Sequence, residues 1–296
     1  MSEANFSENL KDFVGGTIGG FAQVLSGQPF DMIKVRLAAS SQRQSAVAAT
    51  LSVIKNEGVL AFWRGSTGPL IGVGACVSIQ FGVLENSKRL LKHFKGGKDL
   101  ETLDYALCGS IAGMANTIVS CPAENFRIRM QIQGKVDPRG DPIYKGDIDC
   151  IRTISRNHGL RGIFKGFYIT LLREACTFAT YFGCYEYIIN KYLIPKGGTK
   201  KDVPMLYLFL TGGFCGYAYW APWYPIDAIK SKLQADSLAN PAYKGTMDCI
   251  KKTIASEGAA GLYKGFIPCM ARAFPVNGIT FLAYEMTMRL IGNSSK

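Results

Sequence analysis

One short pattern of charged residues occurs three times in the chain. Each copy reads proline, any residue, an acid, two further residues and a base. An acid and a base three positions apart lie on one helix face, where a single surface pair contributes only ~0.2–0.5 kcal/mol. Three copies within apolar surroundings favour a functional role instead, because charge inside a membrane usually faces a protein interior or a water-filled cavity. The copies are Pro29, Asp31 and Lys34, then Pro122, Glu124 and Arg127, and then Pro225, Asp227 and Lys230.

Three further charges lie inside apolar segments, at Arg173, Glu174 and Arg272. Their position alone makes them candidates for a binding site. Glu174 can accept hydrogen bonds from an ammonium or quaternary amine, and Arg272 can hold a carboxylate with its guanidinium fork. This chemistry favours a zwitterionic ligand. The alternative is a structural Arg–Glu pair that locks one helix.

Long segments poor in charge must position these residues. Each reaches the ~20 residues that an apolar helix needs to cross a bilayer. Three of them contain a motif proline near their C-terminal end, and we interpret these helices as kinked at the proline and not ended there. The segments are 13–38, 66–88, 103–131, 168–190, 205–234 and 267–289.

The whole chain repeats with a period near 100 residues. A GxxxG precedes each motif proline, which predicts close helix contacts at Gly16, Gly109 and Gly212. A triplet of an aromatic residue, a base and a glycine follows each proline, and a glutamate comes twenty residues later. We therefore predict three two-helix repeats, covering residues 1–98, 99–202 and 203–296 of one integrated transmembrane domain.

The motif resembles the threefold signature of the mitochondrial carrier family, and the resemblance covers essentially the whole chain. It implies an all-α membrane protein with six transmembrane helices, which form three pseudo-symmetric two-helix repeats with short matrix helices around a central cavity. It also implies alternating access, a multi-pass position in the mitochondrial inner membrane, and both termini toward the intermembrane space.

The resemblance assigns the six motif charges to a matrix gate. It implies that Asp31 pairs with Arg127, Glu124 with Lys230, and Asp227 with Lys34. The glutamine brace of the family, four residues beyond each motif base, is matched by Gln131 and Gln234, whereas the first repeat has Ala38.

The cytoplasmic gate of the family is matched only in part. Glu85 and Lys88 fit its pattern, and we expect Lys88 to form one interhelical pair, with Glu285. The basic positions of the other two repeats are apolar, so we expect a weak gate and a resting protein open to the intermembrane space. The remaining matched positions are Tyr185, Glu186 and Tyr284.

The substrate positions of the family lie twelve or thirteen residues before the acids of the even-numbered helices. An Arg-acid pair at this place resembles the carnitine, ornithine and glutamate carrier cluster, which implies an amino acid or a carnitine-like substrate. On the second predicted helix the position is a glycine, Gly72, which leaves space for an acyl tail or a longer side chain. The matching residues are Gly72, Arg173, Glu174 and Arg272, together with Asn277 in the following stretch.

The triplets resemble the cardiolipin sites of the family, and helix N-termini suit a phosphate physically. Interfacial anchoring is the alternative role of such aromatic and cationic pairs. The glycines concerned are Gly65, Gly166 and Gly265 in the triplets, and Gly146 and Gly245 at the starts of matrix helices. Bound cardiolipin is expected, and no other cofactor or metal.

Composition argues against other classes of protein. The net charge is +12, but the cations are divided among loops, which disfavours a nucleic-acid binder. Two histidines and nine single cysteines leave little for a zinc site or for an enzyme. The leading prediction is an antiporter for an amino acid or a related zwitterionic or anionic metabolite. The alternatives are a carnitine/acylcarnitine carrier and a carrier-fold subunit of an inner-membrane complex that does not transport; outside such a complex we expect a monomer.

Overall fold

The computed structural model describes residues 3–40, 44–133, 144–194 and 203–293, and it contains helices and no strand in those ranges. Two short 3₁₀ segments, Val59–Trp63 and Ala259–Tyr263, connect helices, and a π-helical turn covers Ile189–Leu193. The longer helices are α1 (Glu3–Ala39), α2 (Ala46–Glu57), α3 (Thr67–Phe94), α4 (Thr102–Ile132), α5 (Asp147–Ile163), α6 (Phe167–Ile188), α7 (Met205–Ala235), α8 (Thr246–Glu257) and α9 (Phe266–Asn293).

The order of the helices repeats three times as long, short, long. The motif prolines Pro29, Pro122 and Pro225 lie inside α1, α4 and α7, so these helices continue past them as predicted. Each proline removes one backbone donor, which a helix tolerates where neighbouring groups compensate. The first helix begins well before the predicted residue 13, because its polar first turns remain helical beyond the apolar part that hydropathy detects.

The long helices pack as neighbours around a ring. The most extensive contacts join α4 to α6, α1 to α9, and α3 to α4, and α6 packs on α7. The three motif helices α1, α4 and α7 also contact one another. The short helices α2, α5 and α8 follow the motif helices, and we call this end of the bundle the motif end.

One helix passes a test of length and apolar composition for crossing a membrane. It is Thr102–Ile132, which is α4, and the search covered only the residues that the structure describes.

The GxxxG prediction of close helix contact is correct in the second repeat. A Cβ added to Gly109 would lie 2.7 Å from the Phe178 carbonyl oxygen, and one added to Gly113 would lie 2.6 Å from that of Glu174. The α4 and α6 backbones therefore touch. A Cβ added to Gly16 or Gly216 would meet no atom within 4 Å, so the prediction of close contact is wrong at Gly16, and the contacts of Gly212 lie outside the described residues. At these positions α1 and α7 border open space.

The triplet glycines connect each repeat to the next. Gly65, Gly166 and Gly265 have φ values of 75°, 78° and 84°, which favour glycine. A Cβ on Gly65 would lie 3.1 Å from the Arg127 carbonyl oxygen, and one on Gly265 would lie 2.6 Å from that of Lys34. Each glycine thus lets one repeat close onto the motif helix of the following repeat, and the third repeat closes onto the first.

The triplet bases reinforce this ring. Lys165 Nζ donates to the Ser237 carbonyl at 2.8 Å, and Lys264 Nζ donates to the Ser40 carbonyl at 3.0 Å. Both carbonyls follow the C-terminal end of a motif helix, where backbone acceptors have no partner within the helix and a cation is favourable. Each base therefore caps a helix that belongs to the next repeat.

Candidate functional site

The six motif charges form three ion pairs that join the motif helices to one another. Asp31 Oδ2 lies 2.5 Å from Arg127 Nη2, joining α1 to α4. Lys34 Nζ lies 2.7 Å from Asp227 Oδ2, joining α1 to α7. The third pair joins α4 to α7 through Glu124 and Lys230. The predicted pairs are present, and together they close a triangle across the motif end.

These charges are largely removed from solvent. Asp31, Lys34, Asp227 and Lys230 are all buried, and Lys230 is only 2% exposed. An unpaired buried charge is strongly unfavourable, so the pairs depend on one another for stability.

Arg173 connects the predicted binding residues to this triangle. Its guanidinium contacts Glu174, the next residue of α6. It also lies 3.1 Å from Glu124 and 3.7 Å from Asp227. Arg173 therefore forms more than a structural pair with Glu174, since it also contacts two acids of the motif.

Arg272 makes the corresponding contact on the other side of the bundle. It reaches from α9 to Asp31, the acid that also holds Arg127. Its side chain is about one-third exposed, at 33%, whereas that of Asp31 is 10% exposed. A guanidinium held at the edge of a buried network remains accessible to an incoming carboxylate.

The network carries an excess of positive charge. Among the residues that the structure describes, these contacts form two groups. Asp31 with two cations has an excess of one positive charge, whereas the other group balances three cations with three carboxylates. The cations are Lys34, Arg127, Arg173, Lys230 and Arg272, and the carboxylates are Asp31, Glu124, Glu174 and Asp227.

The predicted glutamine braces Gln131 and Gln234 are both buried. Gln234 Nε2 donates to Thr170 Oγ1 at 3.4 Å, and its Oε1 has no partner in the part of the chain described. Gln131 Nε2 likewise has no hydrogen-bond partner in the described residues. Gln28, which the sequence analysis missed, contacts a gate pair directly, since its Oε1 accepts from Arg127. Its place immediately before Pro29 was the available signal.

At the end of the bundle opposite the motif end, the described residues form fewer ion pairs between helices. Lys88 Nζ lies 2.8 Å from Glu85 of its own helix, because the i,i+3 spacing brings the two together. The expected partner Glu285 and the neighbouring Tyr284 have side chains outside the described residues. Glu186 is buried, and the Tyr185 ring stacks on that of Tyr181 with centroids 6.1 Å apart.

Two other predicted binding positions have different outcomes. A Cβ added to Gly72 would meet no atom within 4 Å, so the wall of α3 is open there, as expected for a residue that leaves space. The side chain of Asn277 lies outside the described residues, although its backbone belongs to α9.

Two tryptophans of α7 contact neighbouring helices. Lys34 Nζ lies 4.3 Å from the centre of the Trp220 ring, so this aromatic face already has a cation as its partner. Trp223 Nε1 donates to Thr180 Oγ1 on α6 at 2.8 Å.

Acids at the ends of two short helices clamp a second layer of bases. Glu57 lies 2.5 Å from Arg36 and 2.5 Å from Arg64, and Glu257 likewise contacts Lys232 and Lys264. Although burial opposes it, the hydrogen bond from Arg36 and the charges of both arginines lower the pKa of Glu57. The second repeat has His158 at the equivalent place.

Two cavities adjoin the predicted lipid glycines. A cavity of about 430 Å³ is lined by Lys145, Gly146 and Arg152 at the start of α5 and by Thr67 from the first repeat. A second, of about 380 Å³, lies between the start of α2 and the triplet that ends in Gly265. The starts of α5 and α8, at Gly146 and Gly245, have no side-chain cap, whereas Ser45 caps α2.

Comparison with known proteins extends over nearly the whole chain. The family described as "Mitochondrial carrier protein" matches residues 6–95, 98–196 and 201–295. The chain is 40% identical to carrier protein YMC2, mitochondrial, of Saccharomyces cerevisiae, with 98% of this chain and 91% of the relative covered. It is 40% identical to the mitochondrial glycine transporter YMC1 of the same yeast, with 96% and 92% covered. It is 38% identical to the mitochondrial basic amino acids transporter of Bos taurus, with 94% and 91% covered.

Proposed function

Since the chain belongs to the mitochondrial carrier family, we propose that it exchanges an amino acid across the mitochondrial inner membrane by alternating access. Members of the family are transporters, so the chain is a transporter and not an enzyme. The proposal places six membrane-spanning helices around a central cavity, the motif end on the matrix side, and both termini in the intermembrane space. In this arrangement the three motif pairs form the matrix gate.

The shared acids of the charge network support the proposal most directly. Arg272 and Arg173 both contact carboxylates that belong to the matrix gate. A substrate carboxylate that binds Arg272 competes with Asp31 for the same guanidinium. A substrate ammonium that binds Glu174 competes with Arg173. Substrate binding and gate opening are thereby coupled through the same side chains.

The charge of the network favours an amino acid over a cation without a carboxylate. An α-carboxylate bound at Arg272 balances the excess positive charge of the group that Arg272 forms with Asp31 and Arg127, and Glu174 is the candidate acceptor for the ammonium. Two of the relatives are described as transporters of glycine and of basic amino acids, in agreement with this chemistry. The open wall at Gly72 leaves room for a side chain beyond that of glycine.

Cardiolipin bound at the two cavities is part of the proposal. Each cavity joins a triplet region of one repeat to the start of a short helix in the next. Free backbone donors at the start of α5 suit phosphate oxygens in the first cavity, where Lys145 and Arg152 add positive charge beside Asp147 and Asp149. Lipid bound there holds neighbouring repeats together in a monomeric carrier.

The test is a thermal-shift screen of the purified full-length protein, followed by exchange assays in liposomes that contain cardiolipin. We expect glycine, glutamate, lysine or arginine to raise the melting temperature and to exchange against itself. Carnitine esters, keto acids and nucleotides serve as the comparison ligands. Stabilisation and exchange by one of those classes alone would refute the amino-acid proposal. Purification in a stoichiometric complex, with no exchange of any solute, would identify a subunit that does not transport.

A further inference from the structure

The residue immediately before each motif proline differs among the three repeats. These residues are Gln28, Cys121 and Tyr224, and each is completely buried, with 0% exposure. They occupy equivalent places beside the three gate pairs, so their contacts can be compared directly.

Gln28 joins a gate base to the triplet of its own repeat. Its Oε1 accepts a hydrogen bond from Arg127 Nη2, and its Nε2 donates to the Arg64 carbonyl at 3.0 Å. Arg127 is the base that pairs with Asp31, three residues beyond Gln28. One side chain therefore fixes the cation of this pair against a rigid backbone group.

Tyr224 makes the equivalent connection with different chemistry. Its hydroxyl donates to the Lys264 carbonyl at 2.9 Å, which is the triplet carbonyl of its own repeat. The centre of its ring lies 5.5 Å from Lys34 Nζ, and the Trp220 ring lies on the same ammonium at 4.3 Å. Lys34 is the base that pairs with Asp227, three residues beyond Tyr224. The aromatic faces hold the cation as the amide oxygen does in the first repeat.

Cys121 has a different partner. Its sulfur accepts from Gln234 Nε2 at 3.9 Å, and its short side chain does not reach across to a triplet carbonyl. The pair beside it, Glu124 with Lys230, is instead the one that Arg173 joins. The second repeat thus offers a natural control for the other two.

We propose that Gln28 and Tyr224 are positioning residues that latch two of the three matrix-gate pairs, leaving the Glu124–Lys230 pair as the one that substrate opens first. Each latch holds the gate base supplied by the following repeat against the triplet of its own repeat. The inference rests on the proposed function, because it assumes that the motif pairs open and close during transport.

The strength of the latch can be measured by transport in the absence of a counter-substrate. Reorientation of the empty carrier breaks the gate without help from substrate, so a weaker latch raises unidirectional efflux relative to exchange. Gln28→Met keeps the length of the side chain but removes both hydrogen-bonding groups. We expect it to raise the efflux-to-exchange ratio roughly tenfold, equivalent to ~1.4 kcal/mol. Tyr224→Phe retains the ring and should give a smaller rise, whereas Tyr224→Leu should approach the effect of Gln28→Met.

Cys121→Ala is the matched control, and its ratio should stay within about twofold of the wild-type ratio. A purely structural role lowers efflux and exchange in proportion and leaves their ratio unchanged. An unchanged ratio in Gln28→Met would therefore overturn the proposal, as would an equal rise in Cys121→Ala.

A second measurement decides the inference even if no exchange activity is found. The loss of melting temperature caused by Gln28→Met is compared in the wild-type background and in the neutralised background Asp31→Asn with Arg127→Gln. If Gln28 acts on the ion pair, Gln28→Met should lower the melting temperature clearly less in the background that lacks this pair. Equal losses would overturn the latch, whereas absence of exchange in the wild type would overturn only the proposed function.

Discussion

At the residue scale, each acid of the motif has more than one cationic partner. Asp31 contacts Arg127 and Arg272, and Glu124 contacts Lys230 and Arg173. Desolvated carboxylates need several partners, because one cation seldom compensates the loss of hydration. This sharing joins the predicted binding residues Arg173 and Arg272 to the acids of the proposed gate, so a change at one position reaches the other through an acid.

Arg272→Lys should reduce uptake of the amino-acid substrate in liposomes roughly ten- to a hundredfold, because an ammonium retains the charge but not the two parallel donors of the guanidinium. Arg272→Ala should abolish uptake. The measurement is kcat/KM for exchange, with the melting temperature showing that the protein remains folded. Lys252→Ala serves as a control, since this exposed lysine contacts Asp248 and the Ala242 carbonyl, away from the charges of the motif. Unimpaired uptake by Arg272→Ala would remove this residue from the binding site.

Glu57→Gln should lower the melting temperature at neutral pH, because it removes the partner of two arginines. The lowered pKa of Glu57 sets the sign of its pH dependence. Its contribution is complete above the ordinary glutamate pKa of ~4.3 and is lost as the pH falls through the lower folded-state value.

The melting-temperature difference between the wild type and Glu57→Gln should therefore shrink as the pH is lowered from 6 toward 3. Asp99→Asn is the matched control, because Asp99 is 99% exposed and should show little difference at any pH. A difference that stays constant with pH would contradict the assignment of the clamp to the ionised carboxylate.

At the scale of the helices, close backbone contacts occur where glycine is required by geometry. Gly109 and Gly113 bring α4 against α6, and the triplet glycines let each repeat rest on the next motif helix. The spacing of glycines in a sequence does not specify which neighbour approaches. This explains why three equivalent GxxxG patterns produce one close contact in the described residues.

Gly265→Ala should destabilise the protein by more than Gly97→Ala, although both glycines have φ values of 84°. The backbone strain of alanine is ~1–2 kcal/mol at either place. A Cβ at Gly265 would in addition lie 2.6 Å from the Lys34 carbonyl oxygen, whereas one at Gly97 would meet no atom within 4 Å. Thermal unfolding of the two purified variants gives the comparison. Equal losses of melting temperature would show that the contact with α1 is absent in the folded protein.

Much of this arrangement could be predicted from the sequence, since its strongest signals are periodic. The motif spacing placed an acid and a base on one helix face in each repeat, and the resemblance to the family implied which acid pairs with which base. The pre-proline contacts were missed because Gln28, Cys121 and Tyr224 share no side-chain chemistry. Lys88 meets Glu85 through local i,i+3 geometry, whereas its pair with Glu285 stays a prediction because that side chain lies outside the described residues.

At the scale of the whole molecule, the two ends of the bundle differ in their ionic contacts. In the described residues, three interhelical pairs close the motif end, whereas at the other end Lys88 pairs within its own helix and the partly exposed Lys95 contacts Asp104 of α4. This difference favours the hypothesis of a resting carrier that is open to the intermembrane space. Exposed ion pairs contribute only ~0–1 kcal/mol each to stability, so the preference for this state depends on the buried pairs of the motif end.

Cys76 should react faster with a membrane-impermeant maleimide in mitoplasts than in inverted inner-membrane vesicles, when no substrate is added. Cys76 is partly exposed and within electrostatic range of Glu124 and Glu174, so it reports on the central cavity. Mass spectrometry of the modified peptide measures the rate from each side. Cys150, which is 0% exposed, is the control and should stay unmodified. Faster reaction in the inverted vesicles would contradict the resting state described above.

The contact from Lys264 to Ser40 joins residues 224 positions apart, and that from Arg272 to Asp31 joins residues 241 positions apart. During synthesis the first helix therefore waits for the last third of the polypeptide before its own end is capped and Asp31 gains its second cation. A chain without its third repeat would leave an open edge, and the buried Lys34 would be without Asp227. We therefore expect stable assembly to require all three repeats, and fragments to be degraded instead of accumulating as smaller carriers.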